Sequence, residues 1–324
     1  MISKDRIMSG FSKFNEHYFI FYVLIGVGVI FSFASPNFLT FPNMMTILRQ
    51  ASISAVIASG QFFVLTGGDF DLSVGSNVTL SGVFFAGAMV YFGYNPIVAM
   101  LIALCVGLSI GLINGLMVTE IGLPAFIATM ATMVSCQGCA LMLTKATPIS
   151  KLPASIGWIG RGTLGDIRVF GVPYLVLIML FIYIFVYIVT ERTNFGRYIF
   201  AMGGNREAAY LSGINTRIYK IGTYLISGGI SALASIMLVS RLAVADPYAG
   251  SGYEFESITA CVIGGTAITG GKGNIFAVLF GALFLAALFN GMTLLNVNTY
   301  IQQILKGVVL AIAVGIDVMK NKKK

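Results

Sequence analysis

Charge is what this sequence has least of. Of its 324 residues only 10% are charged, and a single histidine, His17, is present. So little charge, with a mean hydropathy of +0.90, excludes a soluble domain, where about a quarter of residues are charged. One histidine, no His–Cys or carboxylate cluster at ligand spacing and no Ser/His/Asp set support neither a zinc site nor a hydrolytic triad. No catalytic residue, metal ligand or cofactor is expected. The four cysteines, Cys105, Cys136, Cys139 and Cys261, imply no disulfide framework. Cys136-Gln-Gly-Cys139 has redox-motif spacing, but it lies in an apolar run without a strand–helix context and reads as buried structural thiols.

What is abundant is apolar sequence, at 57% of the chain. Apolar runs of about 18 residues or more are candidate membrane-spanning helices. Ten are read near Tyr18–Ala34, Met44–Thr66, Ser76–Phe92, Pro96–Thr119, Leu123–Leu143, Val172–Val189, Tyr219–Ser240, Ser257–Thr269, Ile275–Leu295 and Tyr300–Val318. The eighth is short and flanked by glycine. Backbone groups in lipid must be satisfied within a segment, so these runs predict helices and an all-α polytopic membrane protein. Residues 1–324 read as a single transmembrane domain. Ser32-Phe33-Ala34 loosely suggests a leader cleavage site, but the run before it is too long for a signal-peptide core, so it is expected to stay as the first span.

The few charges are unevenly placed. With both termini inside, the inner segments hold Lys4, Arg6, Lys13, Arg192, Arg197, Arg206, Arg217, Lys220, Lys272, Lys320 and Lys322 to Lys324. The outer segments hold Lys145, Lys151, Arg161, Arg168 and Arg241. This bias predicts an N-in/C-in topology. It also accounts for most of the net charge of +8, because cations split among membrane-flanking loops do not build a nucleic-acid surface.

Five of the 20 Lys+Arg residues fall in one polar island, Glu191–Lys220. There Gly203-Gly204 can turn the chain sharply, and Asn205 can cap a short helix whose first turn holds Glu207. Gly213 can end it. Ala208, Ala209 and Leu211 are expected to present a small apolar face to a soluble partner.

Two halves of the chain resemble each other. Ile53–Ser59 matches Ile230–Ser235, and Leu112-Ile-Asn114-Gly115 matches Leu288-Phe-Asn290-Gly291, at offsets of 177 and 176. Asp69-Phe-Asp71 resembles Glu254-Phe-Glu256 at a larger offset of 185. Matching spans lie five apart, which reverses their direction. The expectation is two inverted five-helix repeats, spans two to five corresponding to seven to ten.

Candidate contacts follow. Gly67–Ser76 puts two carboxylates and three glycines between spans two and three. It reads either as a broken helix lining a route, with Asp69, Asp71 and Ser73 as polar contacts, or as a tight turn with an aspartate capping the next helix. Asn114 and Asn290 are single amides that either touch a polar solute or hydrogen-bond between helices. Gly107, Gly111 and Gly115, four apart, form a close-packing face. Gly264–Gly273 fails the phosphate-loop pattern, with Thr266 at the first glycine and Gly273 at the Ser/Thr position, and reads as a flexible turn that cannot hydrolyse ATP.

The chain resembles the permease subunits of ribose-type ATP-binding-cassette importers, the branch that also carries other sugars and autoinducer-2. The resemblance rests on Gly68–Ser76, Leu123–Thr129, Thr193–Tyr198, Gly203–Ala209, Leu211–Ile214, Ala249–Glu254, Ile263–Thr266 and Gly270–Gly273. Phe70 replaces the usual isoleucine, and an Ile-x-Leu-Pro continuation of the coupling motif is missing. The resemblance implies a permease that moves a small polar solute, most readily a monosaccharide, by alternating access. It implies a cytoplasmic ATPase docked on a loop at about 191–218, a periplasmic or lipid-anchored substrate-binding protein, a second permease copy or paralogue, and a bacterial inner membrane. The coupling residues it implies are Gly196, Arg197, Gly203, Gly204, Asn205, Glu207, Ala208, Ala209 and Gly213. The rival is an ion-coupled secondary transporter, for which only Asp69 and Asp71 could relay ions. An intramembrane enzyme would need a nucleophile–base pair, and none is present.

Overall fold

The computed structural model describes residues 20–165 and 171–322. His17, Arg168, Lys4, Arg6 and Lys13 lie outside them. The elements in chain order are α1 (Ile20–Ala34), α2 (Phe41–Thr66), α3 (Val74–Val90), α4 (Pro96–Thr119) and α5 (Ala125–Thr144). A 3-10 turn (Ala154–Ile156), α6 (Gly157–Arg161) and a two-stranded hairpin of β1 (Thr163–Leu164) and β2 (Val172–Pro173) follow. Then come α7 (Tyr174–Arg192), α8 (Asn194–Gly204), α9 (Arg206–Leu211), α10 (Thr216–Leu242), α11 (Tyr253–Ile263), α12 (Ile275–Leu294) and α13 (Thr299–Lys322).

Every run read as a span carries a helix. Seven are long and apolar enough to cross a membrane: α2, α4, α5, α7, α10, α12 and α13. This is an all-α polytopic membrane protein. α1, as described, and α3 are shorter. α11 departs most from expectation. It starts at Tyr253 and stops at Ile263, where the run suggested Ser257–Thr269. Gly264 and Gly265, the latter at φ +81°, turn the chain out of the helix. At the other end, Gly252 N–H donates to the Glu254 carboxylate at 3.1 Å, which lets two acidic residues sit in the first turn.

α2 and α10 pack together at the centre and are buried over 83% and 72% of their apolar windows, against 6% for α13. Around them the partners alternate. α3 and α4 pack on α10, while α11 and α12 pack on α2; α5 packs on α3, and α13 on α11. The Gly107-Gly111-Gly115 face is the surface by which α4 meets α10. A side chain at Gly111 would lie 2.3 Å from the Tyr224 carbonyl, and one at Gly107 would lie 2.5 Å from that of Gly228. The two helices therefore touch backbone to backbone, as small-residue stripes allow. Cys139 and Cys105 are exposed, so only Cys136 and Cys261 are buried thiols; one face of α5 leaves Cys139 outside the core.

Candidate translocation and coupling site

α2 stops at Thr66, and Gly68, at φ +84°, lets the chain reverse. This sign of φ suits glycine, which has no Cβ to clash. Residues 69–73 then run back along α2. The Gln61 amide, correctly oriented, donates to the Asp71 carbonyl at 3.0 Å and accepts from its N–H at 3.2 Å. Gln61 lies five residues, about 7.5 Å, inside the end of α2, and α3 begins only at Val74. The segment is thus both a chain reversal and a break between helices inside the bundle.

Asp71 is 2% exposed, and three separate helices meet around it. Its Oδ1 accepts from Ser73 N–H at 2.9 Å and from the Ser73 hydroxyl at 2.6 Å. Its Oδ2 accepts from Ser227 of α10 at 2.9 Å. Asn114 of α4 donates to the Ser73 hydroxyl at 2.7 Å, and α2 contributes Gln61. A buried carboxylate costs several kcal/mol unless its lone pairs are used, and here each oxygen has a donor. Asp71, Ser73 and Asn114 are therefore brought together, all within the chain's interior. Asn290 is elsewhere. It accepts from Asn43 Nδ2 at 2.9 Å and ties α12 to the start of α2.

Asp69 pairs with Lys220, Oδ2 to Nζ, at 2.7 Å, with both side chains under 15% exposed. Lys220 therefore does not belong to the soluble face of the polar island. It sits in the first turns of α10, and it is buried because Asp69, 151 positions earlier, reaches it. The Tyr224 hydroxyl donates to the Phe70 carbonyl at 3.4 Å, one turn further along α10.

The island folds as α8 and α9. Asn205 caps α9, its side-chain oxygen accepting from Ala208 N–H at 2.9 Å. Glu207 lies in the first turn, and Gly213, at φ +85°, follows the end. The exposed apolar side chains of α9 are Ala208, Tyr210 and Leu211, whereas Ala209, expected on the same face, points inward and is buried. A six-residue helix has one inner stripe, and Ala209 occupies it. Gly196 is also turned inward, since a side chain there would strike the Thr190 carbonyl at 2.0 Å. Arg197 is exposed and bonds to Asn194, and Arg217 pairs with Glu120 at the surface.

Gly203 and Gly204 meet two other glycine pairs. Gly271 N–H donates to the Thr66 carbonyl at 2.9 Å. A side chain at Gly203 would lie 1.9 Å from that same carbonyl and 2.6 Å from Gly271 N. One at Gly270 would lie 2.7 Å from Gly68 Cα. The end of α8, the end of α2 and the loop between α11 and α12 thus touch through bare backbone. The Gly264–Gly273 loop, expected as a flexible turn, is held in this junction. It follows a helix, α11, and not a strand.

Two cations escaped the count by segments because they lie inside spans: Arg49 in α2 and Lys306 in α13. Lys306 Nζ pairs with Glu256 Oε2 of α11 at 3.2 Å and stands 4.8 Å over the Phe289 ring centre. A lysine inside an apolar run was the available signal. The expected match of Asp69-Phe-Asp71 with Glu254-Phe-Glu256 does not hold in position. The first precedes α3, whereas the second lies inside the first turn of α11.

The profile of the family described as "Branched-chain amino acid transport system / permease component" matches residues 43–314. The ribose import permease protein RbsC of Escherichia coli K12 is 41% identical over 91% of this chain and 90% of its own length. That of Bacillus subtilis 168 is 39% identical, covering 90% of each. The D-allose transport system permease protein AlsC of Escherichia coli K12 is 34% identical over 96% of this chain and 94% of its own. No solved structure matches. With five-sixths of its length under one profile and sugar permeases aligned over nine-tenths or more of both chains, the chain belongs to the branched-chain amino acid transport system permease-component family.

Proposed function

We propose that this chain is the permease subunit of an ATP-driven importer in a bacterial inner membrane, and that it carries a monosaccharide such as ribose. The observation that carries this reading is the 41% identity to a ribose import permease over nine-tenths of both chains. A cytoplasmic ATPase, a substrate-binding protein and a second permease copy complete the machine. The absence of a phosphate loop fits an ATPase on a separate chain.

The coupling site is α8–α9, with Asn205 and Glu207 shaping α9 and Tyr210 and Leu211 as its apolar contact. Arg197 and Ala208 are exposed as well, while Gly196, Ala209 and Gly213 set its shape. From there the glycine junction leads directly to Thr66 and so to the Asp69–Ser73 segment. A displacement of α8 of even half an ångström meets backbone at once, because close-packed contacts transmit strain. The Asp71 network then holds the break between α2 and α3 in one of two arrangements, which is what alternating access needs. In this reading Asp71, Ser73 and Asn114 set the helix break, with Asp69 fixing it to α10, rather than touching the solute.

The paired exchange of packing partners supports two inverted repeats. α3 and α11 begin 179 positions apart, and so do α4 and α12. With an N-in/C-in topology, α8–α9 and the glycine junction share the cytoplasmic face.

The test is uptake of labelled D-ribose, D-xylose and D-allose into proteoliposomes holding the permease, the ATPase and the binding protein encoded beside it. The expected result is uptake of one of them that needs ATP inside the ATPase-facing compartment. Uptake that persists without ATPase and follows an ion gradient would establish the secondary-transporter alternative.

A further inference from the structure

We infer that the face of α11 and α13 bearing Glu256 and Lys306, with Phe255 and Phe289, is a contact site for the transported monosaccharide; this rests on the permease reading above.

Lys306 is seven residues past Thr299, about 10.5 Å along α13 from its start, and so within the apolar run. A charge at that depth is costly in lipid and belongs against water or protein. α13 is the least covered of the seven long helices, at 6%. The Lys306 side chain is 37% exposed and Glu256 13%. The pair is therefore not sealed inside the chain as Asp69–Lys220 is, and the further charge that acts on Lys306, Glu254, is itself buried. Lipid would not tolerate its open side, and the inference assigns that side to the aqueous route.

The chemistry at this face suits a sugar. Glu256 supplies acceptor oxygens and Lys306 three donors, which is the complement of neighbouring hydroxyls. Phe255 is 47% exposed on the same turn, and the Phe289 ring lies under the ammonium. Aromatic faces pack on the C–H faces of pyranose and furanose rings as on other apolar surface. These residues border one crevice too small to enclose a sugar, so the solute would lie against this face and not within it. A weak site of this kind favours passage over retention, because the solute must leave again.

The experiment uses the assembled complex in proteoliposomes, with the labelled sugars as probe and sugar moved per ATP hydrolysed as the readout. Lys306→Met and Glu256→Gln are expected to lower that ratio about ten-fold, and Lys306→Arg, which keeps charge and donors, by less than about three-fold. A structural tie alone would lower the amount of assembled complex and leave the ratio intact. In a background without the native cysteines, Phe255→Cys is expected to react with a water-soluble thiol reagent and to react more slowly with sugar present. Ratios within about two-fold of the parent for both Lys306→Met and Glu256→Gln, or no reaction at Phe255→Cys, overturn the site while leaving the permease standing. A parent complex that moves none of the three sugars overturns the permease reading and this site together.

Discussion

α10 and α13 are both long apolar helices, and each carries one lysine where lipid would not tolerate it. Lys220 of α10 is buried and closed by Asp69 at 2.7 Å. Lys306 of α13 is more than a third exposed and meets Glu256 at 3.2 Å. The same residue type therefore answers two problems. At the centre of the bundle a charge pair is tolerated only when it is complete, so Asp69–Lys220 is a structural fastener for the re-entrant segment. At the open edge a charge pair survives because water or a partner completes it, which leaves it free to act on a solute. The prominent carboxylates of the Gly67–Ser76 motif belong to the first class. The inconspicuous lysine of α13 belongs to the second.

The largest effect expected from breaking this contrast is at the fastener. Asp69→Ala leaves Lys220 buried and unpaired and should cost about 3–5 kcal/mol. Adding Lys220→Met should recover most of it, because an apolar side chain has no charge to strand. Thermal unfolding of the purified chain in detergent measures both, and failure of the double change to recover stability would place the loss outside the pair.

Asp71→Ala comes next. It removes acceptors from Ser73 and Ser227 and should cost about 1.5–3 kcal/mol, as for hydrogen bonds to a charged group. Uptake should fall with it, since the helix break loses its clamp. Stability within error of the parent would mean that Gln61 and Asn114 hold the segment alone.

Glu256→Gln should cost no more than about 1 kcal/mol, because a partly solvated pair contributes little. This measurement sharpens the comparison most directly. A loss as large as that for Asp69→Ala would mean that the outer pair is also sealed, and the aqueous face of α13 would be wrong.

Least disturbing to stability is the surface of α9. Tyr210→Ser with Leu211→Ser should change stability by about 0.5 kcal/mol or less, as exposed positions do. Co-purification of the ATPase should nevertheless be lost. Ala209→Asp is a poor probe of docking, since that side chain points inward and its failure would be a folding failure. Retained co-purification with the serine pair would move the docking surface elsewhere on 191–218.

Much was legible in the sequence where a signal is local. The apolar runs over α2, α4, α7 and α12 have helix length and few charges, so the spans follow from the cost of exposing backbone or charge to lipid. Asn205 and Gly213 mark the ends of α9 because capping chemistry is settled within three or four residues. The 107/111/115 spacing announces a close-packed face, because residues four apart share one side of a helix.

What only the tertiary structure decided is which distant partners complete these local features. Nothing local says that Asp69 meets Lys220, that Lys306 meets Glu256, or that Gly203, Gly68 and Gly271 converge. Those pairings arise from how helices cross, and each spans tens to hundreds of positions. The inward turn of Ala209 and the early end of α11 have the same origin. A six-residue helix buries whichever stripe its neighbours cover, and a span beside a re-entrant segment needs only part of the membrane's depth. The sequence by itself determined the helices, their caps and their small faces, since these depend on neighbours a few residues away. The tertiary structure determined which charges are sealed and which stay open, since burial is set by what packs against a side chain and not by its place in the chain.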